Sequence, residues 1–283
     1  MSSAPRLEMG PAILFCPADR PDRYQKAADR ADAVILDLED AVAPEAKQAA
    51  REGIAASALD PARTIVRVND ARSGLLAEDL AAVLRSRYRT VMLAKTERPA
   101  DIDALGALRV IALCETAAGV VNAPQIAAHP RVVGLMWGAE DLVASLGGTS
   151  SRDASGAYRA VAVHAQTAVL LAAGAAGVAA IDAVHLDIAD VDGCRAEAED
   201  AAASGFAAKA AIHPSHVAAI RDAFAPSDSE LRWASAVLAE AVRATADGRG
   251  VFRFEGRMVD EPVLRHARGI LAREPRGATS PAP

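Results

Sequence analysis

Short apolar runs recur along this chain, and nearly every one ends on a residue that could do chemistry. At or just past the ends of these runs stand Asp19-Arg20, Glu39-Asp40, Arg67 with Asn69, Lys95, Glu115, Asp141, Asp187 and His213. Surface loops are polar in any protein, so a single member of this series is expected to be solvated. Arg67 and Glu115 stand apart, because each interrupts or abuts an apolar run, where a buried charge must be paired. Acids and bases on neighbouring strand ends would line one pocket with both carboxylates and cations, a combination that fits a divalent cation and an anionic substrate. Glu115 and Asp141 could supply oxygen ligands, since Mg2+ takes only one or two protein carboxylates and fills its shell with water and substrate oxygens. Each has a plainer reading too: Glu115 as a cap for a helix over 116–128, Asp141 as the N-cap before Leu142. Arg67 is equally readable as a salt-bridge partner of Glu39, and Lys95 and Arg20 as phosphate contacts at a rim. His213-Pro-Ser-His216 has no HExxH or triad context, so His213 reads as a loop or helix-start residue and His216 as a surface one. Leu146-Gly-Gly-Thr149 reads as a loop, or as a backbone nest for an anion.

Bringing such ends together is the work of the elements that carry them. Apolar runs fall at 12–15, 33–38, 64–68, 90–93, 110–113, 132–137, 183–186 and 210–212, separated by Ala-rich stretches of helical spacing at 20–30, 44–59, 75–87, 101–108, 117–128, 155–173 and 193–205. Alternating strands and helices predict βα units on a parallel sheet. The strands are continuous apolar runs, as expected where both faces are buried. About eight such units in roughly 250 residues is the size of a (β/α)8 TIM barrel. No G-x-G-x-x-G follows the first strand to favour an open doubly wound sheet. In a parallel barrel the C-terminal strand ends meet on one face, where the chemistry sits. We therefore expect a barrel over 11–225, followed by a small C-terminal extension over 226–273 and a disordered tail over 274–283. The extension reads as a helix capped by Ser227 or Asp228, a Gly joint at Asp247-Gly-Arg-Gly250, a strand at 251–254, a turn at Gly256 and a closing helix from Pro262. A Gly hinge of this kind serves a lid or a simple packing arm.

Composition narrows the class. The chain has 283 residues, 52% hydrophobic and 24% charged, and 31 basic against 37 acidic side chains give a net charge of −6. This is a globular balance without the polar excess of disorder. The acidic excess argues against non-specific nucleic-acid binding, which needs a basic surface. Cys16, Cys114 and Cys194 show no zinc or disulfide pattern and read as buried free thiols of a reducing compartment. No apolar stretch is long enough to span a bilayer, and a cytoplasmic location is expected.

Eight strings of this sequence resemble the citrate lyase β-subunit family, within the HpcH/HpaI aldolase/citrate lyase group. They are Leu14-Phe-Cys-Pro-Ala-Asp-Arg-Pro21, Val34-Ile-Leu-Asp-Leu-Glu-Asp-Ala41, Val66-Arg-Val-Asn69, Met92-Leu-Ala-Lys-Thr-Glu97, Leu113-Cys-Glu-Thr-Ala117, Trp137-Gly-Ala-Glu-Asp-Leu142, Ile212-His-Pro-Ser215 and Phe254-Glu-Gly-Arg-Met-Val-Asp-Glu-Pro262. They follow the family's order from about Pro11 to Arg273, and the resemblance is closest to stand-alone citrate-lyase-β-like proteins. It departs at Ala18, where many members have Gly, and at Ala94, where many have Pro.

The resemblance implies a TIM barrel with a C-terminal lid that cleaves or forms a carbon–carbon bond next to a CoA or acyl-carrier thioester, assisted by Mg2+. Carried over motif by motif, it implies Glu115 and Asp141 as metal ligands and Arg67 as the clamp on the oxo-acid carboxylate and oxygen. Glu39 falls in the same pocket, Asp260 becomes the general acid or base on the lid, and Arg20 and Lys95 become contacts to CoA. The lid of relatives closes over a neighbouring subunit, so a homotrimer or hexamer is implied. Three readings follow: a lyase on citryl-, citramalyl- or malyl-CoA, a malate-synthase-like condensation or thioester hydrolysis, and a subunit of a larger citrate lyase complex.

Overall fold

The computed structural model describes residues 9–274; most of the tail expected over 274–283 lies outside the described residues. These fall into two compact units that divide between Arg221 and Asp222.

The first unit is a closed barrel of eight parallel strands. The strands are β1 (Ala12–Pro17), β2 (Ala33–Asp37), β3 (Thr64–Val68), β4 (Thr90–Leu93), β5 (Arg109–Cys114), β6 (Val132–Trp137), β7 (Ala179–Asp182) and β8 (Ala208–Ala211). Each pairs with its sequence neighbour, and β8 closes on β1 with Ala12 opposite Lys209. Side chains alternate across a strand with period two, so one residue in two points inward. The inward set packs as a single cluster that includes Ile13, Ile35, Ile65, Met92, Ile111 and Ile181, with Ala33, Ala208 and Ala210 as its small members. Two residues further on, the same parity brings Asp37 after Ile35, Arg67 after Ile65, and Glu115 after Ile111 and Leu113. The polar residues therefore continue the inner face past its apolar layers, at the C-terminal mouth.

Helices follow the strands, and among the departures from expectation two stand out. The helix expected over 117–128 is two short ones, Ala117–Val121 and Ala123–Ala127, broken ahead of Pro124, which cannot donate the hydrogen bond that would continue the first. β7 lies at Ala179–Asp182 rather than 183–186. Ala179-Ala180 carries no β-branched signal, and its strand character comes from pairing with β6, where Gly134 lies opposite Ala179 and Met136 opposite Ile181. The residue that closes β7 is accordingly Asp182, while Asp187 sits in an exposed turn with its carboxylate accepting from the Ala189 amide.

The second unit contains the helix Asp228–Ala246, a two-stranded antiparallel sheet of β9 (Phe252–Phe254) and β10 (Arg257–Val259), and the helix Glu261–Ala272. Ser227 caps the first helix in a capping box with Glu230. Glu255 and Gly256 both have positive φ, +46° and +79°, as a two-residue hairpin turn with right-handed strand twist requires. A core of its own, including Val237, Phe252, Val259, Leu264 and Ile270, holds this unit together. Among the described residues no helix is long and apolar enough to cross a membrane.

Candidate active site

The C-terminal mouth of the barrel opens into a cavity of about 410 Å³, with Asp37, Arg67, Glu115 and Asp141 on its polar side and Phe15, Leu113, Met136, Trp137 and Tyr158 among its apolar lining. Arg67 is the centre of the polar side. Its Nε and Nη2 donate to the two carboxylate oxygens of Asp37, each at 2.7 Å, and its Nη1 lies 3.0 Å from Glu39 Oε2. The guanidinium stands 5.0 Å from the centroid of the Phe15 ring. Burial works against the Arg67 charge, but the hydrogen bonds and charge of Asp37 outweigh it and hold its pKa above the ordinary value. Asp37 also accepts from the backbone amides of Glu39 and Ala41 at 2.9 and 3.3 Å, so its carboxylate is fully engaged. Lys47 fixes the next stretch of chain, its amine donating to the carbonyls of Leu38 and Glu39 and to Asn69.

Lys95 links the two halves of the site. Its backbone is in the left-handed region with φ +47°, a conformation that costs a non-glycine residue roughly 1–2 kcal/mol. The bend aims its amide at Glu115 Oε1, 3.0 Å away. Its amine meets Glu39 Oε1 and reaches Asp40 at 3.3 Å and Asp141 at 3.4 Å. Burial raises the pKa of Glu39, against the pull of Arg67 and Lys95.

Glu115 directly follows β5 and Asp141 lies in the first turn of the helix Ala139–Ser145 that follows β6. Gly138 lets the two strand ends approach: a Cβ there would lie 2.9 Å from Glu115 Oε2. Glu115 is 3% exposed, and burial followed by the nearby Asp141 charge pushes its pKa from 4.5 up to about 8. Two hard oxygen donors held close, one of them reluctant to ionise alone, suit a small divalent cation. No group of three or more His, Cys, Asp or Glu side chains among the described residues could hold a metal, so any ion here draws on these two carboxylates and completes its shell from water and substrate.

The structure thus brings together Arg67, Glu39, Lys95, Glu115 and Asp141. The plainer readings of the two acids give way: Thr116 caps its helix through Gly119, and Gly138 occupies the N-cap position before Asp141. The salt bridge between Arg67 and Glu39 is present alongside the site. Arg20 is elsewhere, half-exposed and paired to Asp22 at 3.0 Å. Lys95, expected at a rim, is committed to the acids of the pocket. Asp260, in the second unit, is the N-cap of the helix Glu261–Ala272 and accepts from the Val263 amide. His213 is exposed, with Nδ1 on Ser215. His216, expected at the surface, is fully buried, because it shares one face of the helix Ser215–Phe224 with Ala219 and Ile220, three and four residues on, both buried as well. The amides of Gly147 and Gly148 are spent on Ala144 and Val143 at the end of a helix, so they form no anion nest. Sequence reasoning passed over Asp37, although it lies in register with Arg67 on adjacent strands and shares the parity of Ile35. Tyr158 carries no signal, since it reaches the cavity from an irregular segment.

A parallel barrel with a buried arginine and paired acids at its C-terminal mouth defines an enzyme of the (β/α)8 class. The profile of the HpcH/HpaI aldolase/citrate lyase family matches residues 12–214, and the chain belongs to that family. It is 54% identical over 264 residues to the citrate lyase subunit beta-like protein of Mycobacterium tuberculosis, covering 93% of this chain and 95% of that protein. A crystal structure of CitE from that organism, in complex with magnesium, acetoacetate and coenzyme A, superposes with a TM-score of 0.88 at 53% identity, over 94% of this chain and 98% of the other. The human mitochondrial citramalyl-CoA lyase is 31% identical over 92% of this chain and 84% of its own length. A (3S)-malyl-CoA thioesterase of Cereibacter sphaeroides is 34% identical over 93% of each.

Proposed function

We propose that this chain is a Mg2+-dependent carbon–carbon lyase that cleaves a 3-hydroxy-acyl thioester of the citryl-, citramalyl- or malyl-CoA type to acetyl-CoA and an oxo-acid. The observation that carries the reading is the meeting of Glu115 and Asp141 with the Asp37-clamped Arg67 in one cavity. The magnesium, acetoacetate and coenzyme A of the related CitE crystal structure support it.

Arg67 has five N–H donors; Asp37 takes two, Glu39 faces a third, and the others remain for the oxo-acid carboxylate and the oxygen beside it. Held by Glu115 and Asp141, Mg2+ would supply Lewis-acid stabilisation of charge on that oxygen. In cleavage the 3-hydroxyl gives up its proton as its oxygen becomes the oxo-acid carbonyl, and the electrons of the carbon–carbon bond pass into a thioester enolate, whose carbon then gains a proton. In synthesis that carbon loses a proton and the carbonyl oxygen gains one. Asp260 is assigned the transfer at carbon, with the second unit acting as a lid that removes it from water. Glu39 keeps Arg67 and Lys95 in place. The lid reading brings with it a homotrimer or hexamer in which lids serve neighbouring barrels.

The thioesterase from Cereibacter sphaeroides favours a second reading, hydrolysis of the thioester itself. The two are separated by incubating the purified chain and Mg2+ with citryl-, citramalyl- and malyl-CoA. A lyase releases oxo-acid and acetyl-CoA, whereas hydrolysis releases free CoA. Activity should vanish with EDTA and in Glu115→Ala. Silence on all three thioesters, with Mg2+ bound, overturns both readings and leaves a subunit that needs partner chains or a carrier protein.

A further inference from the structure

Behind the apolar wall of the cavity, six side chains close a ring. Trp137 and Tyr158 both line the cavity and meet edge to face, their centroids 5.3 Å apart. Trp137 Nε1 donates to Asp182 Oδ1 at 2.7 Å. The other oxygen of Asp182 accepts from Lys209 Nζ, also at 2.7 Å, and that amine reaches Glu197 Oε2 at 3.3 Å. Glu197 Oε1 accepts from Arg152 Nη2 at 2.6 Å. Arg152 Cζ then lies over the Tyr158 ring, 3.7 Å from its centroid, and the circuit returns to the wall.

The placement of these groups follows from strand parity. Met136, Ile181, Ala208 and Ala210 fill the barrel interior, so Asp182 and Lys209 project to the outer side of their strands, and Trp137, the last residue of β6, both lines the cavity and reaches Asp182. Asp182 and Lys209 are 2% and 1% exposed. An apolar pair of the same volume would serve stability there as well or better, so stability alone does not explain a buried ion pair. What the pair does is hold Trp137 at one end and, through Glu197 and Arg152, Tyr158 at the other. Tyr158 belongs to the irregular segment 146–159, which is tied by a bridge between Arg152 and Tyr158, by backbone hydrogen bonds from Asp153 to Ala157 and from Arg159 to Ser151, and by a hydrogen bond from Ser151 to Glu140. The ring adds the hold on the Tyr158 side chain itself.

We propose that the ring is a specificity device: it presses Tyr158 against Trp137 and so limits the size of the group an oxo-acid may carry on its carbonyl carbon. The aromatic wall admits a hydrogen or a methyl group and excludes longer chains, which narrows the proposed substrates to the malyl- and citramalyl-CoA types. Arg152 is a positioning residue that acts through Tyr158. This rests on the oxo-acid reading of the cavity.

The test is calorimetric titration of the full chain, with Mg2+, using pyruvate and 2-oxopentanoate, which differ by two methylenes. The wild-type protein should bind pyruvate the more tightly. One methylene against a fitted wall is worth about tenfold or more, so Arg152→Ala should narrow the pyruvate preference by about tenfold. Arg152→Lys, which keeps a cation over the ring and a donor for Glu197, should narrow it less. A general loss of fold would weaken both ligands in proportion and leave the ratio unchanged, as would an irrelevant ring. An unchanged ratio in Arg152→Ala overturns the proposal. If the wild-type protein binds neither oxo-acid, the functional reading fails first and this one with it.

Discussion

Both carboxylate oxygens of Asp37 accept from one edge of the Arg67 guanidinium, Nε to Oδ1 and Nη2 to Oδ2, each at 2.7 Å. This two-point clamp fixes the orientation of Arg67, which lines the cavity with its Nη1 beside Glu39. Asp37→Asn keeps the size of the side chain but replaces one acceptor with a donor that faces Arg67. A misplaced guanidinium should lower kcat/KM by about 100-fold. Asp37→Ala leaves a buried charge half-paired and should cost roughly 3–5 kcal/mol in urea unfolding. Unchanged kinetics in Asp37→Asn would mean that Glu39 alone orients Arg67.

Glu115 predicts the pH dependence of the metal-free protein. Its pKa stands at about 8 in the fold, pushed up by burial and then by Asp141, against 4.5 for an ordinary glutamate. The native state therefore holds a proton that the unfolded state has released. The stability this contributes is complete below the ordinary glutamate range and is lost as pH rises toward about 8. Thermal melts in EDTA from about pH 5 to about pH 8 should show this decline, and Glu115→Gln should flatten it. For the same reason Mg2+ should bind more tightly toward the upper end of that range, where binding displaces less of the proton.

Gly138 offers a steric test of the metal assignment. Its backbone lies in the extended region, with φ −139° and ψ 129°, so alanine is tolerated conformationally. The new Cβ would meet Glu115 Oε2 at 2.9 Å and its Cβ at 3.0 Å, and Glu115 must move. Gly138→Ala should therefore weaken Mg2+ binding by about 10- to 100-fold, the range seen when metal ligands lose their support. Calorimetry with Mg2+ alone gives the answer, and an unchanged affinity removes Glu115 from the ligand set.

Asp260→Asn separates chemistry from architecture. Asparagine is as good an N-cap as aspartate, so the helix Glu261–Ala272 keeps its cap and thermal stability should hold within a degree or two. If Asp260 moves the proton of the thioester carbon, turnover should be abolished while Mg2+ and oxo-acid binding persist. Near-normal turnover would return Asp260 to a capping role alone.

Much of this was legible in the sequence because it follows from local periodicity. Continuous apolar runs set a parallel barrel, and alternation by two carried Arg67 and Glu115 from the interior rows to the mouth. Ser227, the Glu255-Gly256 turn and the closing helix were set by caps and turn chemistry within a few residues. What the tertiary structure decided lies where the deciding contact is distant along the chain. β7 is placed by its pairing with β6, since Ala179-Ala180 has no strand preference of its own. His216 is buried by the face of its helix, and polarity alone could not say so. The Lys95 amine turns inward because Glu39, Asp40 and Asp141 converge on it from two other segments. Tyr158 comes to Trp137 only through a ring whose other members stand on β7, β8, a helix and a loop. Local sequence specifies which residues share a face; the closing of the barrel specifies which of those faces meet.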